Sequence, residues 1–164
     1  MRNAIALWFL FHFLAPERLE DIYIRSLWVA QIYVDGLTMQ STVVAVVIPD
    51  EDYCRKHFNN KNQQQQQQQS FDELCRNDKL KQIIMSDLLR LAKQYNLKYY
   101  ETISNIYLYP ELMSQGNGLI TNTFKTRRMA ARQYFQTIIN QLYNNDKNSN
   151  LEQQQQQLVH LSKL

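Results

Sequence analysis

The run Thr42-Val43-Val44-Ala45-Val46-Val47-Ile48 constrains this chain more than any other stretch. It is nearly all apolar and mostly β-branched. β-Branched side chains lose little on a pleated surface and more in a helix. A half-exposed strand alternates polar and apolar residues, and this run does not. It therefore reads as a central strand buried on both faces. Pro49-Asp50 ends it. The preceding Val29-Ala30-Gln31-Ile32-Tyr33-Val34 reads as a second strand, closed by Asp35-Gly36. The two are expected to pair as a hairpin.

A strand covered on both faces needs layers to cover it, and the flanking periodicities supply helices. Pro16-Glu17-Arg18-Leu19-Glu20-Asp21 reads as a helix start, with proline at the first position and acids at the positive end of the dipole. Leu19, Ile22, Tyr23 and Leu27 then recur on one face. Ser70 with Glu73 matches a capping box and opens a short helix. A longer helix follows from Asp78, with Leu80, Ile83, Ile84, Leu88 and Leu91 as its core stripe. Ile103 to Tyr109 alternates like a strand and stops at Pro110. Asn117-Gly118 marks a turn. A last helix over 127–143 presents Tyr134, Phe135, Ile138, Ile139 and Leu142 as core, and 144–164 reads as polar linker and tail. The fold class is therefore α+β, a small sheet of about three strands with packed helices.

The 164 residues allow one domain with tails. They include 20 Gln and 14 Asn against 3 Gly, and much of that excess sits in low-complexity tracts. Residues 59–69 (NNKNQQQQQQQ) read as a tolerated surface insertion. A nucleic-acid domain usually shows a concentrated basic face and a much larger excess than the +3 here, so no nucleic-acid partner is expected. Cys54 and Cys75 stand in no metal or redox spacing and read as reduced thiols. His12, His57 and His160 suggest no metal cluster. No Gly-rich phosphate loop or H-E-x-x-H motif is present, and no Ser-His-Asp or Cys-His pair is spaced suggestively.

The two ends carry different signals. Ala4 to Leu14 is an eleven-residue apolar run; a bilayer span needs roughly 20 residues. A signal-peptide core is the alternative, but Pro16 stands where cleavage is expected and no small-x-small pattern precedes it. A buried strand or a mispredicted start is the preferred reading of residues 1–13. At the other end Ser162-Lys163-Leu164 is the tripeptide read by the peroxisomal import receptor. The Gln run 153–157 would act as a spacer that keeps it accessible. The expected location is the peroxisome, with the cytoplasm before import.

Three ordered blocks go beyond composition and periodicity. The first is Leu14-Ala15-Pro16-Glu17-Arg18-Leu19-Glu20 with Ile22-Tyr23, Arg25-Ser26, Val29-Ala30-Gln31 and Val34. The second is Ser70-Phe71-Asp72-Glu73-Leu74-Cys75-Arg76-Asn77. The third is Tyr109-Pro110-Glu111-Leu112-Met113-Ser114, then Asn117-Gly118-Leu119-Ile120-Thr121-Asn122-Thr123-Phe124-Lys125-Thr126-Arg127-Arg128. Together they resemble the C-terminal domain of long-chain fatty acid–CoA ligases, acyl-CoA synthetases of the adenylate-forming superfamily, over residues 14–146.

The resemblance implies fatty acid activation in two steps. ATP and the carboxylate give an acyl-adenylate and pyrophosphate, and the thiol of coenzyme A then displaces AMP. It also implies a small lid domain that swings between the steps. Lys125 matches the lysine that the family's closing motif delivers to the ATP and acyl-adenylate phosphate. Without the motif, Lys125 would pass for a solvated member of a basic group with Arg127, Arg128 and Arg132. Arg127 and Arg128 read as surface or helix-start charges. ATP, coenzyme A and Mg²⁺ belong to the full-length family enzyme, and none is expected to bind tightly to this chain alone.

Asn122 and Met129 replace two usual prolines. The hinge and the Gly-Glu ahead of Ala15-Pro16-Glu17 are not matched by residues 1–13. The large N-terminal ATP- and acyl-binding domain lies outside the match, so the chain alone is expected to be an incomplete enzyme. Implied partners are that domain, the import receptor, fatty acid and coenzyme A, with membrane association left open. The alternative is a non-catalytic interaction module of the same fold that binds partners through its Gln tracts.

Overall fold

A computed structural model describes residues 16–37, 40–58 and 70–161, the last sixteen of these as backbone only. Three sequence readings lie outside the described residues: the apolar start 1–13, the Gln-rich insertion 59–69, and Ser162-Lys163-Leu164. The described elements run α1 (Pro16–Tyr23), β1 (Val29–Asp35), β2 (Val43–Pro49), α2 (Glu51–Phe58), α3 (Phe71–Cys75), α4 (Asp78–Gln94), a 3₁₀ turn (Tyr99–Glu101), β3 (Ile103–Leu108) and α5 (Arg128–Leu161).

β2 is the middle strand of a three-stranded sheet in the order β1-β2-β3. All seven of its residues are buried. β1 pairs with it antiparallel, Tyr33 opposite Val46, as the hairpin reading requires. β3 pairs with it parallel, Ala45 opposite Ile106. A parallel neighbour needs a long crossover, and α2, α3 and α4 all lie within it. The period-two geometry of the strand divides its side chains between two cores. Val43, Ala45 and Val47 join Leu19, Tyr23, Leu80, Ile84, Leu88 and Ile106 on one face. Val44, Val46 and Ile48 join Tyr33, Met113, Leu119, Phe135, Ile139 and Leu142 on the other. The second face is the one that carries the closing segment and α5.

The helix signals largely hold. Ser70 and Glu73 form the capping box of α3. Asn77 caps α4, its side chain accepting from Lys79 and Leu80 N–H. Four readings are corrected. α1 ends at Tyr23, so Leu27 leaves the stripe and is 67% exposed. Ile83 sits at the margin of the α4 stripe and is partly exposed, while Ile84 and Leu88 fill the core. Tyr134 is half-exposed and only Phe135 is core; the Tyr134 hydroxyl instead meets that of Tyr109 at 2.8 Å. Residues 144–161 continue α5 rather than forming a linker. Gln is a fair helix former, and adding residues to an existing helix needs no new nucleus.

The sequence reading also missed α2. Only Cys54 of its eight residues is buried, so no apolar stripe announces it. Its signals are at the ends. The Asp50 carboxylate accepts the Tyr53 N–H at 2.8 Å. Glu51 and Asp52 open the helix, and Arg55, Lys56 and His57 close it, the arrangement that suits a helix dipole.

Cys54 and Cys75 are both free and buried. Burial pushes both thiols up from 9.0 to about 12. It pushes the Tyr23 phenol up from 10.0 to about 12. The fold therefore holds protons that the unfolded chain releases earlier. The stability these groups carry is complete below about pH 9 and is lost as pH rises towards 12. Iodoacetamide should leave both cysteines unmodified in the native chain at pH 8 and alkylate both in denaturant. Urea midpoints measured from pH 8 to 11 should fall, with a smaller fall in a Cys54→Ala, Cys75→Ala double variant.

Candidate functional site

Between β3 and α5 the chain forms a closing segment whose backbone is tied down in three places. At its start Tyr109 N–H donates to the Val47 carbonyl at 2.8 Å. Further on, the Gln31 amide takes both polar groups of one residue: its Oε1 accepts Met113 N–H at 2.7 Å, and its Nε2 donates to the Met113 carbonyl at 3.1 Å. Ser114 and Asn117 then close a turn on each other. Asn117 Oδ1 accepts Ser114 N–H at 2.8 Å, and Ser114 Oγ accepts Asn117 N–H at 3.2 Å. Gly118 follows at φ 74°, in the left-handed region open to glycine. Leu119, 2% exposed, drops into the second core.

From that buried residue the chain makes a small hairpin. Ile120 bridges Thr126 antiparallel. Thr121 N–H donates to the Lys125 carbonyl, and Arg127 N–H to the Leu119 carbonyl, each at 2.8 Å. Thr121 Oγ1 accepts Lys125 N–H at 3.1 Å and lies 3.0 Å from Thr123 Oγ1. Phe124 turns the tip at φ 59°, a left-handed conformation that costs a non-glycine residue about 1–2 kcal/mol. Asn122, Thr123, Phe124 and Lys125 are all exposed. Lys125 thus combines a backbone held by cross-hairpin hydrogen bonds with a side chain free to extend into solvent.

The return limb of the hairpin runs straight into α5, and there the sequence reading needs correction. Arg127 is exposed as expected. Arg128 opens α5, as the helix-start reading has it, but it is not a loose surface charge: its side chain is only 27% exposed and meets Glu20 Oε1 at 2.9 Å. It also donates to the Val34 carbonyl. Its guanidinium lies 4.9 Å from the Tyr33 ring centre. Glu17 stands further off at 3.8 Å. One turn along, Arg132 meets the buried Asp35 carboxylate at 3.2 Å. It also donates to the Gly36 carbonyl at 3.0 Å. Burial raises the Glu20 carboxyl above its ordinary value, opposed by Arg128 and the Val34 N–H. No local pattern could have paired residues 20 and 128, because the contact crosses 108 positions. Arg127, Arg128, Met129, Arg132, Gln133 and Gln136 border an open cleft of about 670 Å³ beside the hairpin.

Among the described residues no group of three or more His, Cys, Asp or Glu is placed to hold a metal ion. No helix among them is long and apolar enough to cross a membrane.

No family model matches the chain. Individual relatives do. It is 42% identical over 132 residues to Long-chain-fatty-acid–CoA ligase 1 of Homo sapiens, and 40% over 131 residues to that of Cavia porcellus; each match covers 80% of this chain. Long chain acyl-CoA synthetase 2 of Arabidopsis thaliana is 36% identical over 141 residues, or 84% of this chain. Over most of its length the chain is homologous to the long-chain fatty acid–CoA ligases. It spans only 18–20% of the length of these relatives.

Solved structures agree on the fold. The adenylation domain of a carboxylate reductase from Mycobacterium chelonae superimposes with a TM-score of 0.66 at 24% identity, covering 80% of this chain and 18% of that one. The adenylation and carrier didomain of the Segniliparus rugosus enzyme, solved with AMP, gives a TM-score of 0.64 at 22% identity over the same share of this chain and 16% of its own. This ligase-homologous region therefore shares its fold with part of those two structures, and its α+β character is as the sequence indicated.

Gln31 is the inexpensive place to loosen the site without touching the hairpin. Gln31→Ala would leave both polar groups of Met113 without their partners, at a cost of about 1–3 kcal/mol. A lower urea midpoint, with earlier proteolytic cleavage within residues 109–127 than elsewhere, is the expected outcome.

Proposed function

We propose that this chain works as the C-terminal lid of a long-chain fatty acid–CoA ligase, and that Lys125 is its catalytic residue in acyl-adenylate formation. One observation carries the reading. In a region homologous to these ligases, the single lysine of the closing hairpin stands exposed on a tip whose two limbs are pinned to the core. Among the described residues it has no ion-pair partner.

The chemistry needs such a group. As the fatty carboxylate attacks the α-phosphorus of ATP, negative charge spreads over the phosphoryl oxygens and the departing pyrophosphate. A cation placed there stabilises the transition state more than the separated reactants. Lysine is a compact point charge on a long stem, suited to reach in and withdraw. We assign the magnesium that accompanies ATP, and the adenine and acyl pockets, to a larger partner domain. The lid then moves so that coenzyme A can displace AMP. In the same proposal Ser162-Lys163-Leu164 directs the protein to the peroxisome through its import receptor.

The isolated chain should show no fatty-acid-dependent exchange between ATP and pyrophosphate. Joined to the ATP-binding domain of a long-chain fatty acid–CoA ligase it should show exchange, and Lys125→Ala should lower that rate by about 10²–10³-fold. Undiminished exchange by the variant would remove Lys125 from the mechanism. Microscopy of the tagged chain with and without Leu164 tests the address: import should need that residue.

A further inference from the structure

The hairpin that carries Lys125 is only as well placed as the point where it joins the body of the domain, and that point is Arg128. β1 is an edge strand, so residue Val34 has polar groups that no strand pairs on its outer side. Glu20 and Arg128 take both of them. Glu20 Oε1 accepts the Val34 N–H at 2.8 Å, and Arg128 Nη2 donates to the Val34 carbonyl. The same Glu20 oxygen meets Arg128 Nη1 at 2.9 Å. The three groups close a ring around a single residue of β1, and the face of the Tyr33 ring lies 4.9 Å from the guanidinium carbon.

Arg128 is three residues beyond Lys125 and is the first residue of α5. The other limb of the hairpin is seated by Leu119, and Arg127 N–H bonds back to the Leu119 carbonyl. Two anchors on different elements, α1 with β1 on one side and the second core on the other, hold the Lys125 backbone between them.

We propose that Arg128, with Glu20 as its partner, is the positioning residue for Lys125: the ring they form with Val34 sets where the lysine stands when the lid closes. This rests on the role proposed for Lys125. Arg128 touches no reacting atom. It acts by keeping a mobile ammonium within the narrow range of approach that the adenylation step tolerates, where a displacement of about 1 Å can cost about 10²-fold in rate.

The arrangement distinguishes this role from a purely stabilising one. Arg128→Met removes both hydrogen bonds. Arg128→Lys keeps the charge but cannot reach Glu20 and Val34 together from one planar fork. Glu20→Gln keeps an acceptor for Val34 and loses the charge.

Hydrogen exchange on the full 164-residue chain comes first. In Arg128→Met, the Thr121 and Arg127 amides should exchange at least about 10-fold faster while the β2 amides keep their protection. Arg128→Lys and Glu20→Gln should give smaller effects. The Glu20→Ala, Arg128→Met double variant should exchange no faster at the hairpin than Arg128→Met alone, because the pair acts as one unit.

In the chain joined to a ligase ATP-binding domain, Arg128→Met should lower the maximal exchange rate about 10²-fold with the KM for fatty acid unchanged, and should lower it no further in a Lys125→Ala background. Uniform loss of protection across β2, or an unchanged hairpin, overturns the positioning role. So does an equal loss of rate with and without Lys125. If Lys125→Ala alone leaves exchange intact while Arg128→Met still frees the hairpin, the failure lies in the assignment of Lys125 and the clamp stands as a structural feature.

Discussion

Everything else in this domain hangs on β2 being buried from both sides. Six of its seven residues, Val43 to Ile48, hand alternate side chains to two separate cores. One is closed by α1 and the α4 crossover, the other by α5 and the closing segment. Neither core could cover the strand alone, because each lies on one face of the sheet. The catalytic proposal depends on this directly, because the closing segment is held on the second core through Met113 and Leu119 rather than by a rigid element of its own.

The sheet thereby separates two kinds of work. The α4 face is apolar and locally periodic, and its helices are capped by their own neighbours. The α5 face joins core to charge. Phe135 and Ile139 fill the sheet surface, while Arg128 and Arg132 reach over the end of β1 to Glu20 and Asp35. A guanidinium that both pairs with a carboxylate and satisfies a strand-edge carbonyl fixes direction as well as distance. On the proposed reading, that suits a segment that presents one amine in a repeatable place while the domain as a whole moves. The exposed Phe124 at φ 59° belongs to the same logic: backbone strain is tolerated at the tip because the limbs below it are over-determined.

Much was legible in advance where physics acts over short distances. The β-branched run, the capping box at Ser70, the stripe from Leu80 to Leu91 and the turn at Gly118 each follow from neighbours within a few positions. The misreadings are of the same short range. Ile83 and Tyr134 fit a helical spacing and still lie at the edge of the contact area, because spacing says which way a side chain points and not how far the opposing layer extends; Leu27 lies beyond the end of α1. α2 escaped because one buried residue makes no period. The candidate site divides similarly. Lys125 could be singled out from the motif around it, whereas Arg128 looked like one more charge in a basic stretch.

Residue order alone therefore settled most of the strands and helices, α2 and the extension of α5 past 143 excepted, since side-chain shape, periodicity and caps act on the backbone within a turn or two. It also marked the ligase-like hairpin. Folding in three dimensions decided that β3 joins β2 in parallel, that Gln31 holds Met113, and that Glu20 meets Arg128. Those partners are separated by tens to more than a hundred positions. No local preference encodes them: they arise only when two cores form on one strand and bring distant segments together.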